Sequence, residues 1–161
     1  GYKTRIDSIG NVIAERRGDG SWPALVVAGH LDTVFPEGTD VTVVAYGPMV
    51  KTCMEASVAA AEEGKSLEVI DLRSLSPLDM GTLRASVEKT GRMVVVHEAP
   101  AFLGMGSEVA ARVTEQCFYS LEAPVLRVCG FDTPYPPSRV EEEYLPDLDR
   151  VLDAVDRSLA F

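Results

Sequence analysis

Short β-branched runs alternate with longer segments of helical spacing from about residue 41 onward, and this alternation limits the possible folds more than any other feature. The predicted strands are residues 41–46, 67–72, 92–97 and 124–129, and the predicted helices are residues 49–63, 80–90, 107–119 and 145–160. Strand–helix alternation with short connections predicts a mostly parallel sheet with right-handed crossovers and helices on both faces. We therefore predict an α/β fold with three layers, α/β/α.

Glycine and serine residues mark the predicted helix ends. Gly64 and Gly91 directly follow two of the helices, where a glycine in the left-handed conformation commonly ends a helix. Ser107 precedes the third helix and is a candidate N-cap. Residues 131–143 are rich in proline, and we predict a long loop there.

The first forty residues have a different pattern. Residues 4–7 and 11–16 alternate apolar and polar side chains around a glycine, which is typical of an antiparallel hairpin. Residues 24–28 form a further apolar run, and residues 24–34 can supply an antiparallel edge strand to the main sheet. We expect one mixed sheet with this N-terminal edge element, in which residues 1–38 pack on an α/β domain formed by residues 39–161.

Composition excludes several classes of partner. The chain has 161 residues, of which 25% are charged, and a formal net charge of -10. An acidic surface repels phosphate groups, so nucleic acids and anionic membranes are excluded as partners and a basic protein is favoured. The three cysteines are odd in number and widely spaced, which favours reduced thiols in a cytoplasmic compartment.

Two motifs within the α/β part have both a chemical and a structural interpretation. His97 and Glu98 end a central predicted strand, where acid–base groups often lie, but a structural histidine, hydrogen-bonded at the strand end or at a subunit interface, is favoured. Residues 104–107 combine two glycines with a serine before a helix. They lack the third glycine and the lysine of phosphate-binding loops, so a tight turn is favoured over an anion site.

Three strings carry a resemblance to a known family. They are GTDVTVVAYG at 38–47, VIDLRSLSPLD at 69–79 and VVVHEAP at 94–100, and YLPD at 144–147 with the terminal LAF adds to them. In order and at natural spacing, they resemble the C-terminal, transketolase-like domain of the β subunit of thiamine-diphosphate-dependent 2-oxo acid dehydrogenases. The resemblance covers about three-quarters of the chain, residues 39–161.

The resemblance implies an assembly role without catalysis. In that family, thiamine diphosphate and magnesium are bound outside this domain, so it implies no cofactor in this chain. It implies a homodimer, a dehydrogenase α subunit as a partner in the parent complex, and docking of the acyltransferase's subunit-binding domain. We expect Glu141, Glu142, Glu143 and Phe161 to contribute to this docking, although a solvated acidic run also accounts for the three glutamates.

The N-terminal strings IGNVIA at 9–14 and GHLDTVFP at 29–36 resemble a second family, the zinc aminoacylases and carboxypeptidases. That resemblance implies that His30 ligates zinc and that Asp32 orients it. A zinc site needs at least three protein ligands, and the family's remaining motifs do not follow, so the site is expected to be vestigial.

The two resemblances meet near residues 37–40, which suggests a chimera of two fragments joined at this seam. Three functions therefore remain open. The first is a docking module derived from a 2-oxo acid dehydrogenase β subunit. The others are an engineered or recombined fold without native function, and a residual zinc-dependent hydrolase.

Overall fold

The computed structural model describes residues 3–6, 12–15, 27–29 and 38–161. The chain divides into two compact units, residues 1–33 and residues 34–161, and each is described separately. In the first unit, strands β1 (Lys3–Ile6), β2 (Val12–Glu15) and β3 (Val27–Gly29) form an antiparallel sheet in the order β1-β2-β3. Thr4 pairs with Ala14 and Val12 with Gly29, so the predicted hairpin is confirmed.

The second unit contains a four-stranded sheet and five α-helices among its described residues. The strands are β4 (Val41–Ala45), β5 (Leu67–Asp71), β6 (Met93–Pro100) and β7 (Leu126–Gly130). The helices are α1 (Met49–Glu62), α2 (Met80–Thr90), α3 (Met105–Cys117), α4 (Glu141–Tyr144) and α5 (Leu148–Leu159). The sheet order is β5-β4-β6-β7, and all three strand pairs are parallel. The predicted α/β fold is confirmed.

Alternating valines place the core on both faces of this sheet. Val43 and Val94 pack against α1 and α5, whereas Val44 and Val95 face α2 and α3. Successive strand residues point to opposite faces, so an uninterrupted run of valines is explained only by a sheet covered on both sides. This arrangement is the predicted three-layer α/β/α order.

A hydroxyl cluster lies within this core. Thr42 of β4 has its Oγ1 2.6 Å from Oγ of Ser86 and 2.8 Å from Oγ1 of Thr90, and all three residues are buried. Buried hydroxyl groups need hydrogen-bond partners, and these three satisfy one another across the β4–α2 contact.

The structure differs from the sequence-based expectations at three places. The described strands form two separate sheets instead of one mixed sheet, because β3 pairs with β2 in the first unit. Helix α3 begins at Met105 after Gly104, so Ser107 is not its N-cap. The predicted loop at 131–143 contains a 3₁₀ turn (Ser138–Val140) and the start of α4. The predicted packing of residues 1–38 on the main sheet stays a prediction.

The helix ends follow local chemistry. Gly91 adopts the left-handed conformation after α2, as predicted, and Asp79 and Asp147 accept hydrogen bonds from the first-turn N–H groups of α2 and α5. Among the described helices, none has the length and apolar character needed to cross a membrane.

Candidate functional site

The carboxyl ends of β4 and β6 form the place in this sheet where a ligand crevice is expected. The chain passes from β4 to β5 on one side and later returns to β6 on the other, so the strand order reverses between β4 and β6. Tyr46 follows β4 and His97 lies near the end of β6, and their rings stack with centroids 5.8 Å apart. The stacked rings of Tyr46 and His97 lie where the ligand crevice is expected.

His97 is fully buried and connects three segments of the chain. Its Nε2 accepts a hydrogen bond of 3.1 Å from the backbone N–H of Gly106, and Sγ of Cys129 lies 3.4 Å from the same nitrogen. Because Nε2 accepts a hydrogen bond, the ring proton of the neutral imidazole is on Nδ1. The interpretation of His97 as a hydrogen-bonded structural histidine is confirmed, but β6 continues to Pro100, so His97 lies within the strand and not at its end.

The electrostatics of the His97–Cys129 pair keep both groups neutral. Burial lowers the pKa of His97 below its ordinary value of 6.5, and burial raises the pKa of the Cys129 thiol. A reactive cysteine needs the opposite shift, toward the thiolate. The pair is therefore a packing contact and is not arranged as a nucleophile with its base.

Two glycines allow the chain to approach His97 closely. A Cβ atom at Gly104 would lie 2.7 Å from Cε1 of His97, and a Cβ atom at Gly106 would lie 2.7 Å from Cδ2. Both distances are shorter than any real side chain tolerates, so the positions exclude larger residues. The glycines at 104–107 thus pack on an imidazole ring, and Ser107 N–H closes a turn on the Gly104 carbonyl at 2.9 Å. The turn is confirmed.

The loop between β6 and α3, residues 101–104, is the most exposed part of this edge. Phe102 and Leu103 are 73% and 86% exposed, and Leu103 has a backbone φ of 56°. A left-handed conformation is costly for a residue with a Cβ atom and is often found at functional positions. No pattern in the sequence marks Leu103, because a leucine carries no signal for a positive φ.

The residues proposed for docking lie at opposite ends of α5. Glu141, Glu142 and Glu143 form α4 before α5, and the hydroxyl of Tyr135 donates to Glu141. Phe161 follows α5 and is 71% exposed. A helix of this length spans about 18 Å, so the structure separates Phe161 from the three glutamates.

Other acidic groups lie closer to Phe161 than the three glutamates do. Nε of Arg92 donates to the Ser158 carbonyl in the last turn of α5, and its Nη1 pairs with Glu122 at 2.5 Å. Lys65 pairs with Asp156 of α5 at 2.6 Å. These contacts place Glu122 and Asp156 beside the last turns of α5. The sequence did not identify them, because an isolated glutamate or aspartate on a surface helix is common.

The zinc-site candidates His30 and Asp32 lie outside the described residues. Within the described part of the chain, no group of three histidine, cysteine, aspartate or glutamate side chains is arranged to hold a metal ion. The metallopeptidase resemblance, the chimera and the absence of a cofactor stay predictions.

Comparison with known proteins places residues 29–151 in one family. They match the family model "Transketolase, C-terminal domain", and the match begins inside the segment that resembles metallopeptidases. The pyruvate dehydrogenase E1 component subunit beta of Leifsonia xyli subsp. xyli is 58% identical over 132 residues, which are 82% of this chain and 39% of that protein. The 3-methyl-2-oxobutanoate dehydrogenase subunit beta of Mycobacterium tuberculosis is 54% identical over 143 residues, with 81% and 41% covered.

A solved structure shares the fold. The inactive beta4 tetramer of a split-gene transketolase superposes with a TM-score of 0.67 at 34% identity, covering 77% of this chain and 39% of that one. The chain spans about two fifths of the length of the curated relatives it matches.

Proposed function

This chain belongs to the family of transketolase C-terminal domains, and we propose from that premise that it is the assembly and docking module of a 2-oxo acid dehydrogenase β subunit. In this proposal it associates with a second copy and binds the subunit-binding domain of the acyltransferase. The dehydrogenase α subunit contacts it in the parent complex. Thiamine diphosphate and magnesium are bound by other parts of such an enzyme.

The observation that carries this proposal is the exposed aromatic ring of Phe161, which follows the last turn of α5, where Asp156 pairs with Lys65. A formal net charge of -10 gives the surface a strong preference for a basic partner. Aromatic side chains are enriched at the centres of protein interfaces, and polar residues form the rim around them. The exposed side chains of Glu142 and Glu143, at the other end of α5, would guide the approach of the partner.

The neutral His97–Cys129 pair supports a role without catalysis. His97 at the expected ligand crevice and Cys129 against it are both buried, and burial favours the uncharged form of each. A site for general acid–base catalysis needs a titrating group within reach of its substrate. We therefore propose that the place between the carboxyl ends of β4 and β6, where a ligand crevice is expected, has a structural role in this chain and not a catalytic one.

Calorimetric titration with the subunit-binding domain of a bacterial acyltransferase tests the docking function. Saturable binding that weakens between low and moderate salt is expected for an acidic docking surface. Phe161→Ala should abolish binding, whereas Val58→Ala removes an equally exposed apolar side chain from α1 and should leave it unchanged.

The double variant Glu142→Gln, Glu143→Gln locates the surface further. We expect it to weaken binding by slowing association, because these side chains lie a helix length from Phe161. A folded wild-type sample that shows no binding at either salt concentration contradicts the docking proposal.

The second part of the proposal is self-association. The solved relative at 34% identity is described as an inactive beta4 tetramer, which favours assembly of identical chains in this family. Light scattering at micromolar concentration measures the oligomeric state directly, and a monomer would contradict this part alone.

A further inference from the structure

Three aromatic rings meet at the carboxyl end of the sheet, where β7 leads through residues 131–140 into α4. Tyr144 of α4 is buried and forms the base of this aromatic cluster. The ring of Phe131 stands at 71° to it with centroids 6.1 Å apart, and the ring of Tyr135 stands at 68° with centroids 5.1 Å apart. Phe131 and Tyr135 are 51% and 54% exposed, so each ring offers part of its π surface to solvent.

Hydrogen bonds hold the aromatic cluster in place. The hydroxyl of Tyr144 donates to the Phe131 carbonyl at 3.1 Å, and the hydroxyl of Tyr135 donates to the Glu141 carboxylate. Prolines on both sides of Tyr135 further restrict its backbone. The rings are therefore arranged before any partner arrives, so binding would lose little conformational entropy.

The aromatic cluster already contacts one guanidinium group of its own chain. Cζ of Arg150 lies 4.8 Å from the centroid of the Phe131 ring, while Nη2 of Arg150 donates to the Cys129 carbonyl at 2.5 Å. A cation within about 6 Å of a ring centroid is attracted by the electron-rich face of the ring. Arg150 is tied to the backbone of β7, and half of the Phe131 side chain still lies in solvent beside it.

The charge around the aromatic cluster is negative. Residues 131–143 contain four carboxylates and a single basic residue, Arg139. The hydrogen bond to Glu141 is the main cause that raises the pKa of Tyr135, and the negative charge of Glu98 on β6 adds to it. Within the described part of the chain, neither Glu98 nor Glu141 forms an ion pair with a basic side chain. A cation that reaches these rings therefore meets carboxylates that have not been neutralised.

We propose that the aromatic cluster binds an arginine side chain of a partner protein, against the exposed parts of the Phe131 and Tyr135 rings and beside the carboxylate of Glu141. A guanidinium group is planar, always charged and stacks on aromatic rings, whereas the ammonium group of lysine is compact and strongly hydrated. The cluster lies at the opposite end of α5 from Phe161. The inference therefore goes beyond the proposed docking function and does not depend on it.

The first test is a titration of the chain followed by NMR, with a capped hexapeptide of alternating glycine and arginine as the probe. Two matched peptides carry lysine or citrulline in place of arginine, and citrulline is the neutral analogue of the same shape. The arginine peptide should bind at least about fivefold more tightly than the citrulline peptide, with the lysine peptide between them. Its affinity should fall as salt is added, because carboxylates contribute to the site.

The second test uses variants of the aromatic cluster. Tyr135→Leu keeps an apolar side chain but removes the π face, and it should weaken binding of the arginine peptide about fivefold. Tyr135→Phe keeps the ring and should bind within about twofold of wild type. Tyr119→Leu is the matched control, because it removes a fully exposed tyrosine that follows α3, outside the cluster. Circular dichroism verifies the fold of each variant.

Three results overturn the inference. The first is equal affinity for the arginine and citrulline peptides, and the second is a Tyr135→Leu variant that binds the arginine peptide as wild type does. The third is guanidinium chloride that binds as tightly as the peptide, which would make a free small cation the occupant instead of a protein. Phe161→Ala should leave binding of the arginine peptide unchanged, so failure here and failure of the docking function are distinguishable.

Discussion

The backbone N–H of Gly106 donates to Nε2 of His97 at 3.1 Å, so one side chain joins β6 to the first turn of α3. The same ring stacks on Tyr46 after β4 and lies against Cys129 of β7. A single buried imidazole therefore holds three of the four parallel strands and one helix in register.

Stability should depend on the protonation of His97. Its pKa is lowered by burial, so between that value and about 6.5 the unfolded chain binds more protons than the folded one. Stability therefore rises with pH through this window, is complete above it, and is lost as pH falls. His97→Gln keeps an acceptor for Gly106 and does not titrate. The free energy of unfolding, measured with urea from pH 5 to 7, should depend less on pH in the variant than in the wild type. An equal pH dependence in the two proteins would contradict this.

Gly106→Ala should destabilise the chain by about 1–3 kcal/mol, the usual cost of overpacking. The added Cβ would lie 2.7 Å from Cδ2 of His97, whose ring is fully buried. Gly81→Ala in α2 is the control, because its Cβ would meet only Asp79 Oδ1 at 3.3 Å. Denaturant unfolding measures both. If the clash is the cause, the cost of Gly106→Ala should largely vanish in a His97→Ala background.

Arg150→Met should reduce stability by about 1–3 kcal/mol, because it leaves the part-buried Cys129 carbonyl without this donor. Nη2 of Arg150 donates to the Cys129 carbonyl at 2.5 Å, and the guanidinium lies 4.8 Å from the Phe131 ring centroid. Arg157→Met is the control in the same helix. It breaks only an exposed pair with Asp153 at 3.6 Å, which should cost less than about 0.5 kcal/mol. Thermal unfolding compares the two, and equal losses would count against the role of Arg150.

Arg150 also donates a hydrogen bond to a backbone carbonyl of β7, which is an edge strand of the described sheet. In the described sheet β7 pairs on one side only, and free edge groups favour pairing between chains. Arg150→Met should therefore aggregate faster than Arg157→Met when both are held at temperatures that leave equal fractions folded. Static light scattering follows this, and equal rates would contradict it.

Tyr135 should ionise later than an ordinary tyrosine. The hydrogen bond that its hydroxyl donates to Glu141 raises its pKa to about 12. The neutral form is the one favoured by folding, so this contribution is present below pH 10 and is lost as pH rises toward 12. In a tyrosine absorbance titration, Tyr135→Phe should remove a late-ionising group and Glu141→Gln should move that group to lower pH. If the absorbance titration of Tyr135→Phe is unchanged at high pH, the late-ionising group is not Tyr135.

Much of the fold follows from the sequence because its determinants are local. Runs such as Val94 to Val96 require a sheet covered on both faces, and Gly91 ends α2 where predicted. The separation of the N-terminal strands into their own sheet could not be predicted, since strand pairing depends on which partner competes best for the same edge. The hairpin pattern identifies β1 and β2 but leaves the partners of β3 open.

The candidate site was harder to predict, because its contacts form between segments that are far apart in the sequence. His97 was identified as a strand-end histidine, but its donor Gly106 and its neighbour Cys129 meet it only after α3 and β7 have packed. Ser107 has the residue type of an N-cap, and yet its hydroxyl is used to tether Ala101. Leu103 carries no sequence signal for its positive φ, because the surrounding bonds, not its own preference, impose that conformation.

The strand order has a consequence for how the chain folds. Val43 of β4 pairs with Val69 of β5 and Val94 of β6, and both partners are made later than β4. Parallel pairing across about fifty residues of intervening chain gives a high contact order, which slows folding to the millisecond–second range. During synthesis β4 is therefore made before both of its partner strands and is covered only after β6 has been made, so it is the segment for which a chaperone would compete.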